Sequence, residues 1–91
     1  MSKLRVHNLK TRPQYFKDIV RGVKKFEVRN NDRKFKVGDL MVLEEYDSAG
    51  IGYTGKFINT EITYVLDDPE YCKQGYVVLG FKKRLDRGAV L

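Results

Sequence analysis

Apolar and polar residues alternate along Leu4-Arg5-Val6-His7-Asn8-Leu9. That period of two suits a half-buried strand, and the pattern predicts a first strand with Leu4, Val6 or their neighbours turned inward. Thr11-Arg12-Pro13-Gln14 follows. Here Thr11 is expected as N-cap, Pro13 suits a first turn in which its missing N–H costs nothing, and Gln14 completes a capping box. Phe16, Ile19, Val20 and Val23 then recur at helical spacing, and Gly22 supplies the left-handed residue that ends many helices. The helix should run for about two to three turns.

Beyond Gly22 the period changes back to two. Lys24-Lys25-Phe26-Glu27-Val28-Arg29 puts Phe26 and Val28 on one face of a strand and Lys25, Glu27 and Arg29 on the other. Asn30 to Lys34 is a polar turn, and Val37-Gly38-Asp39 is a tight turn feeding the apolar strand Leu40-Met41-Val42-Leu43. Gly50, Gly52 and Gly55 punctuate a hairpin loop before an alternating strand from Phe57 to Leu66. After a loop from Asp67 to Gly75, the nearly all-apolar run Tyr76 to Phe81 predicts a closing strand buried on both sides. Five strands, one early helix and glycine-rich turns give an α+β class: a small, mostly antiparallel, partly closed β-barrel with one or two short helices. Closure is favoured because it removes exposed sheet edges.

Composition narrows the class further. The 91 residues, 42% hydrophobic and 33% charged, suit a single domain over 1–91, with a core at about 4–82 and a basic tail at 83–91. One cysteine, Cys72, excludes an internal disulfide, and the carboxylates of Asp67, Asp68 and Glu70 just before it in sequence make it a poor nucleophile. The chain shows neither a signal peptide nor a membrane span, so a cytoplasmic protein is expected. The net charge of +6 is unevenly spread: residues 1–38 carry twelve Lys/Arg against three Asp/Glu, residues 39–81 two against eight, and residues 82–91 four against one. If the two basic ends meet in the fold, they form one face suited to a polyanion.

The stretch Gly22-Val23-Lys24-Lys25-Phe26-Glu27-Val28-Arg29 fills all four fixed positions of the GxKxxExR motif, between a helix ending at glycine and the start of a strand. It resembles the motif of ASCH domains, relatives of the RNA-binding PUA domains. A wider pattern takes in His7-x-Leu9-Lys10, Glu27 to Asp39 and Gly75 to Gly80. In it the chain is similar to small bacterial and phage ASCH-like proteins of the DUF3850 type. The resemblance covers about residues 4–82 and implies a PUA-like barrel with a cleft beside the motif that binds RNA or a nucleotide. It further implies that Gly22 makes the turn and that Lys24, Glu27 and Arg29 project toward the cleft.

In that setting Lys24 and Arg29 would hold phosphate or a polar base edge, and Glu27 would accept from a base amino group. Lys10, Asp32 and Arg33 extend the candidate binding set. His7, the one histidine, is expected in a structural or hydrogen-bonding role, with a place in the binding set beside a phosphate as the alternative, and Tyr53 joins the set as a stacking platform. A Glu27–Arg29 ion pair that merely pins the barrel opening is the competing reading of the strand face. Some ASCH-fold proteins are amidohydrolases acting on an acetylated cytidine through a motif lysine and threonine. Here Lys24 matches that lysine, but Glu27 stands where the threonine would be. An enzyme acting on an N-acylated nucleoside would therefore need Glu27 as general base toward water, with Lys24 polarising the carbonyl. A third reading uses the basic face against an acidic protein. No metal or organic cofactor is implied, the expected partner is RNA or a nucleotide rather than a membrane, and a monomer is compatible with each reading.

Overall fold

The computed structural model describes residues 5–84. Its elements are β1 (Val6–Thr11), α1 (Pro13–Val20), β2 (Phe26–Asn30), β3 (Leu40–Asp47), β4 (Gly52–Leu66) and β5 (Tyr76–Lys83). The strands form one sheet in the order β1-β3-β4-β5-β2, curled into a half-barrel. The β1–β3 pair is parallel because the chain crosses over through α1 and β2 between them; the other pairs are antiparallel. Curling leaves β1 and β2 as the two sheet edges. The core gathers Leu9, Met41, Leu43, Ile58, Ile62, Val77, Leu79 and Phe81 from the inward face, with Phe35 and the α1 residues Phe16 and Ile19 closing over it. No helix among the described residues is long and apolar enough to cross a membrane.

Several local expectations change. In β1 the inward residues are His7, Leu9 and Thr11, while Val6 is 54% exposed. The phase is set by β3, where buried Met41 and Leu43 are the register partners of His7 and Leu9. Thr11 is not the helix cap. It ends β1 opposite Glu45, and Arg12 occupies the N-cap without a side-chain cap bond, its carbonyl accepting from Tyr15 and Phe16 N–H. Pro13 does open the helix. The helix ends as expected, with Gly22 at φ 80° and the Val23 N–H donating to the Asp18 carbonyl.

The glycine-rich stretch is mostly strand. Tyr46 and Asp47 still pair with Tyr53 and Gly52 beyond a bulge, so β4 starts at Gly52 and Tyr53 lies on a strand. Gly55, at φ 91°, absorbs the extra residues of that bulge. In β5 burial alternates, because the helix covers only the inward face: Val77, Leu79 and Phe81 are buried, and Tyr76, Val78 and Gly80 are half-exposed on the outside. Most of the predicted basic tail, residues 85–91, lies outside the described residues.

Candidate functional site

Gly22 reverses the chain after α1 and delivers Lys24 to the start of β2. On β2, Glu27 and Arg29 pair with Leu79 and Val77, both buried, so the charged pair faces inward while Phe26 and Val28 face out. The strand's apolar residues are therefore on its outer side, and a carboxylate occupies a core-facing position. Glu27 is 4% exposed.

Its burial is compensated in full view of the edge strands. Glu27 Oε1 accepts from Lys24 Nζ at 2.7 Å, and Oε2 accepts from Arg29 Nε at 3.0 Å and Nη2 at 2.8 Å. Arg29 Nη2 also donates to the Lys10 carbonyl at 2.6 Å, which bridges β2 to β1 across the open side of the half-barrel. Lys24 donates in addition to the Phe26 carbonyl, and its ammonium stands 4.7 Å from the Phe26 ring centroid and 5.5 Å from that of Tyr15. The ion pair that pins the opening is thus present. Both carboxylate oxygens of Glu27 are engaged by cations, whereas Arg29 has Nη1 left to offer.

Around this triad lies a cleft of about 560 Å³. One wall is the end of β1 and the start of α1, with Lys10, Thr11, Arg12 and Tyr15; the other is Lys24 to Asn30, with Tyr76 from β5. The lining therefore includes four cationic residues and one carboxylate, Glu27, which Lys24 and Arg29 already pair, while Tyr15, Phe26 and Tyr76 add aromatic residues to it. Thr11 contributes an oddity: its Oγ1 is buried and has no hydrogen-bond partner among the described residues. Such a hydroxyl costs stability unless something outside the described structure satisfies it.

Of the residues expected at the site, Lys10, Lys24, Glu27 and Arg29 converge on the cleft. The others go elsewhere. His7 is buried under Phe35, with Nε2 2.9 Å from Asp39 Oδ2, and the same carboxylate oxygen accepts from the Lys36 N–H. Asp32 and Arg33 are exposed in the turn after β2 and do not line the cleft; the Arg33 carbonyl accepts from Arg5. Tyr53 is outside the cleft but reaches it through a neighbour. It packs edge-on against Tyr46 at 4.8 Å between centroids, and the Lys10 ammonium lies 4.4 Å from the Tyr46 centroid and 5.8 Å from that of Tyr53.

Sequence reasoning missed Thr11, Arg12 and Phe26 as cleft residues and singled out Tyr53 where Tyr15 and Tyr76 are the tyrosines that line the cleft. Arg12 carried the one available signal, a cation between strand and helix, obscured by the expectation that Thr11 starts the helix. Basic residues from the two ends of the sequence do meet: Lys24 and Lys25 join Lys82 and Lys83 around a hollow of about 200 Å³ beside Gly22. Among the described residues no group of three His, Cys, Asp or Glu is placed to hold a metal ion, and Cys72 makes a weak Sγ contact to the Leu66 carbonyl at 3.4 Å.

Residues 6–81 match the family model described as Domain of unknown function (DUF3850). The chain belongs to this family. Over 75 residues it is 32% identical to an uncharacterized 12.9 kDa protein in the GpA 3′ region of Escherichia phage P2, a stretch covering 82% of this chain and 66% of the phage protein. The chain thus spans just under two thirds of that relative's length. The DUF3850 match runs from β1 into β5, so every residue of the cleft falls inside the family unit.

Proposed function

We propose that the cleft binds a nucleotide unit, as part of an RNA strand or free in solution, and that the domain is a binding module of the ASCH/PUA-like type. The observation that carries this reading is the charge surplus of the cleft: Lys10, Arg12, Lys24 and Arg29 line a ligand-sized space whose one carboxylate among the described residues, Glu27, is already doubly paired. A phosphate offers the negative charge this arrangement lacks, and Arg29 Nη1 and the Arg12 guanidinium are the donors best placed to meet it. Tyr15 and Tyr76 give a base a face to stack on.

Glu27 is the anchor of this site. A general base needs a lone pair directed at its water, and Glu27 spends both oxygens holding two cations in position. The GxKxxExR motif then has a division of labour in which Glu27 orders Lys24 and Arg29, and Arg29 both closes the barrel opening and faces the ligand.

The test is an NMR titration of the labelled protein with cytidine mononucleotides and with a mixed-sequence single-stranded RNA, at low and high salt. Salt-sensitive shifts are expected at the amides of Lys10 to Tyr15 and Lys24 to Asn30. Silence at both segments, with the spectrum otherwise that of a folded protein, reduces the triad to a pin between edge strands and returns the basic surface to a protein partner.

A further inference from the structure

The cleft does not end at its own walls. At one border Lys10 belongs both to the cleft and to an aromatic platform, since its ammonium lies over Tyr46 and Tyr53. Tyr53 is 54% exposed, and beside it Lys56 and Glu44 line a small depression of about 140 Å³. At the opposite border Lys24 belongs both to the cleft and to the hollow of about 200 Å³ shared with Lys25, Lys82 and Lys83, which no carboxylate lines among the described residues. Three neighbouring features are therefore joined by shared residues: a stacking platform, a nucleotide-sized cleft and a lysine hollow.

We infer that the ligand is a single-stranded nucleic acid several nucleotides long, which crosses the cleft with one flanking base on Tyr53 and a flanking phosphate in the lysine hollow. This rests on the nucleotide reading of the cleft and adds the class of ligand. The chemistry follows from what each feature can bind. A mononucleotide fills the cleft and has nothing left for an exposed tyrosine two strand spacings, about 10 Å, from β1. A strand presents a phosphate and a base at each step, which is the alternation of cation and ring that this surface offers.

Acidic residues near the platform do not oppose this. Glu45 is held by the Thr54 hydroxyl at 2.7 Å, and Asp47 turns to the Ala49 N–H at 3.1 Å. Glu44 remains beside Tyr53, where a carboxylate can accept from an exocyclic amino group of a stacked base.

Anisotropy with labelled hexanucleotides, in ribose and deoxyribose forms, is compared with calorimetry of the matching mononucleotide under one salt condition. The variants are Tyr53→Ala at one end and the pair Lys25→Glu with Lys82→Glu at the other, all at exposed positions outside the core. Each is expected to weaken hexanucleotide binding about tenfold and to leave mononucleotide affinity within about twofold. Binding of either sugar form in this pattern supports the track, and the tighter form identifies the sugar. Equal affinity for hexanucleotide and mononucleotide, unmoved by the variants, overturns the track while leaving the cleft a mononucleotide site. Absence of binding by both ligands overturns the track together with the nucleotide reading beneath it.

Discussion

At the scale of single residues, the arrangement turns on a buried carboxylate that holds two cations. Glu27→Ala would strand Lys24 and Arg29 beside the core and release the bridge to Lys10, so a loss of about 3–5 kcal/mol is expected in urea unfolding. Glu27→Gln, which keeps the shape and one acceptor, should cost less, and a wild-type midpoint for Glu27→Ala would show that the triad is not structural. Thr11→Val makes the opposite prediction. The hydroxyl it removes is buried and unpartnered, so the free protein should gain up to about 1 kcal/mol in the same assay. Destabilisation instead would mean that a bound water satisfies Oγ1. The motif residues were legible because Lys24, Glu27 and Arg29 are close in sequence and their spacing alone puts Glu27 and Arg29 on one strand face. That this face is the inward one was not, since alternation gives two faces without saying which is covered, and charge suggested the wrong one.

Between elements, Asp39 performs for the β1–β3 pair what Glu27 performs for the β1–β2 gap. It joins His7 of β1, the Lys36 N–H of the preceding turn and the start of β3, with Arg5 at 3.8 Å. Asp39→Ala leaves the buried His7 ring and the Lys36 N–H without this acceptor, and a loss of about 2–3 kcal/mol is expected in thermal or urea unfolding. Asp39→Asn, which retains one acceptor, should recover part of it. If Asp39→Ala costs nothing, His7 is freed from its structural role and regains its place as a candidate ligand group. The elements themselves were largely readable: period, Pro13 and Gly22 located α1, and the strands fell near their apolar runs. Two features escaped because they depend on strand pairing that alternation along the chain does not show. The phase of β1 comes from Met41 and Leu43 across a parallel pair, and the extension of β4 through Gly52 comes from a bulge that lets Tyr46 find Tyr53. Met41 and Leu43 lie outside any window over which a local pattern is read, and Tyr46 and Tyr53, though near in sequence, pair beyond a bulge that breaks the alternation.

For the whole molecule, the question is whether charge separated in sequence acts as one surface. Folding brings Lys24 and Lys25 beside Lys82 and Lys83, and places Lys10, Arg12 and Arg29 around the adjoining cleft. A strand lying across both would displace condensed counterions from each phosphate it neutralises there, and the affinity should fall with salt at a slope of about −0.7 per phosphate on logarithmic axes. Lys24 and Arg29 are partly spent on Glu27, so about three or four phosphates are the expected number neutralised, giving a slope of roughly −2 to −3. Affinity for a short single strand should then drop roughly 20- to 50-fold between about 50 and 200 mM monovalent salt. Arg12→Ala, which removes an exposed cation at the cleft mouth, should flatten the slope by nearly one phosphate and weaken every sequence alike. A slope near zero with binding retained would place the affinity in stacking and hydrogen bonds, and the basic surface would then need an explanation separate from the cleft. A slope that survives in full when Arg12, Lys25 and Lys82 are all replaced would move the polyanion off this face of the molecule altogether.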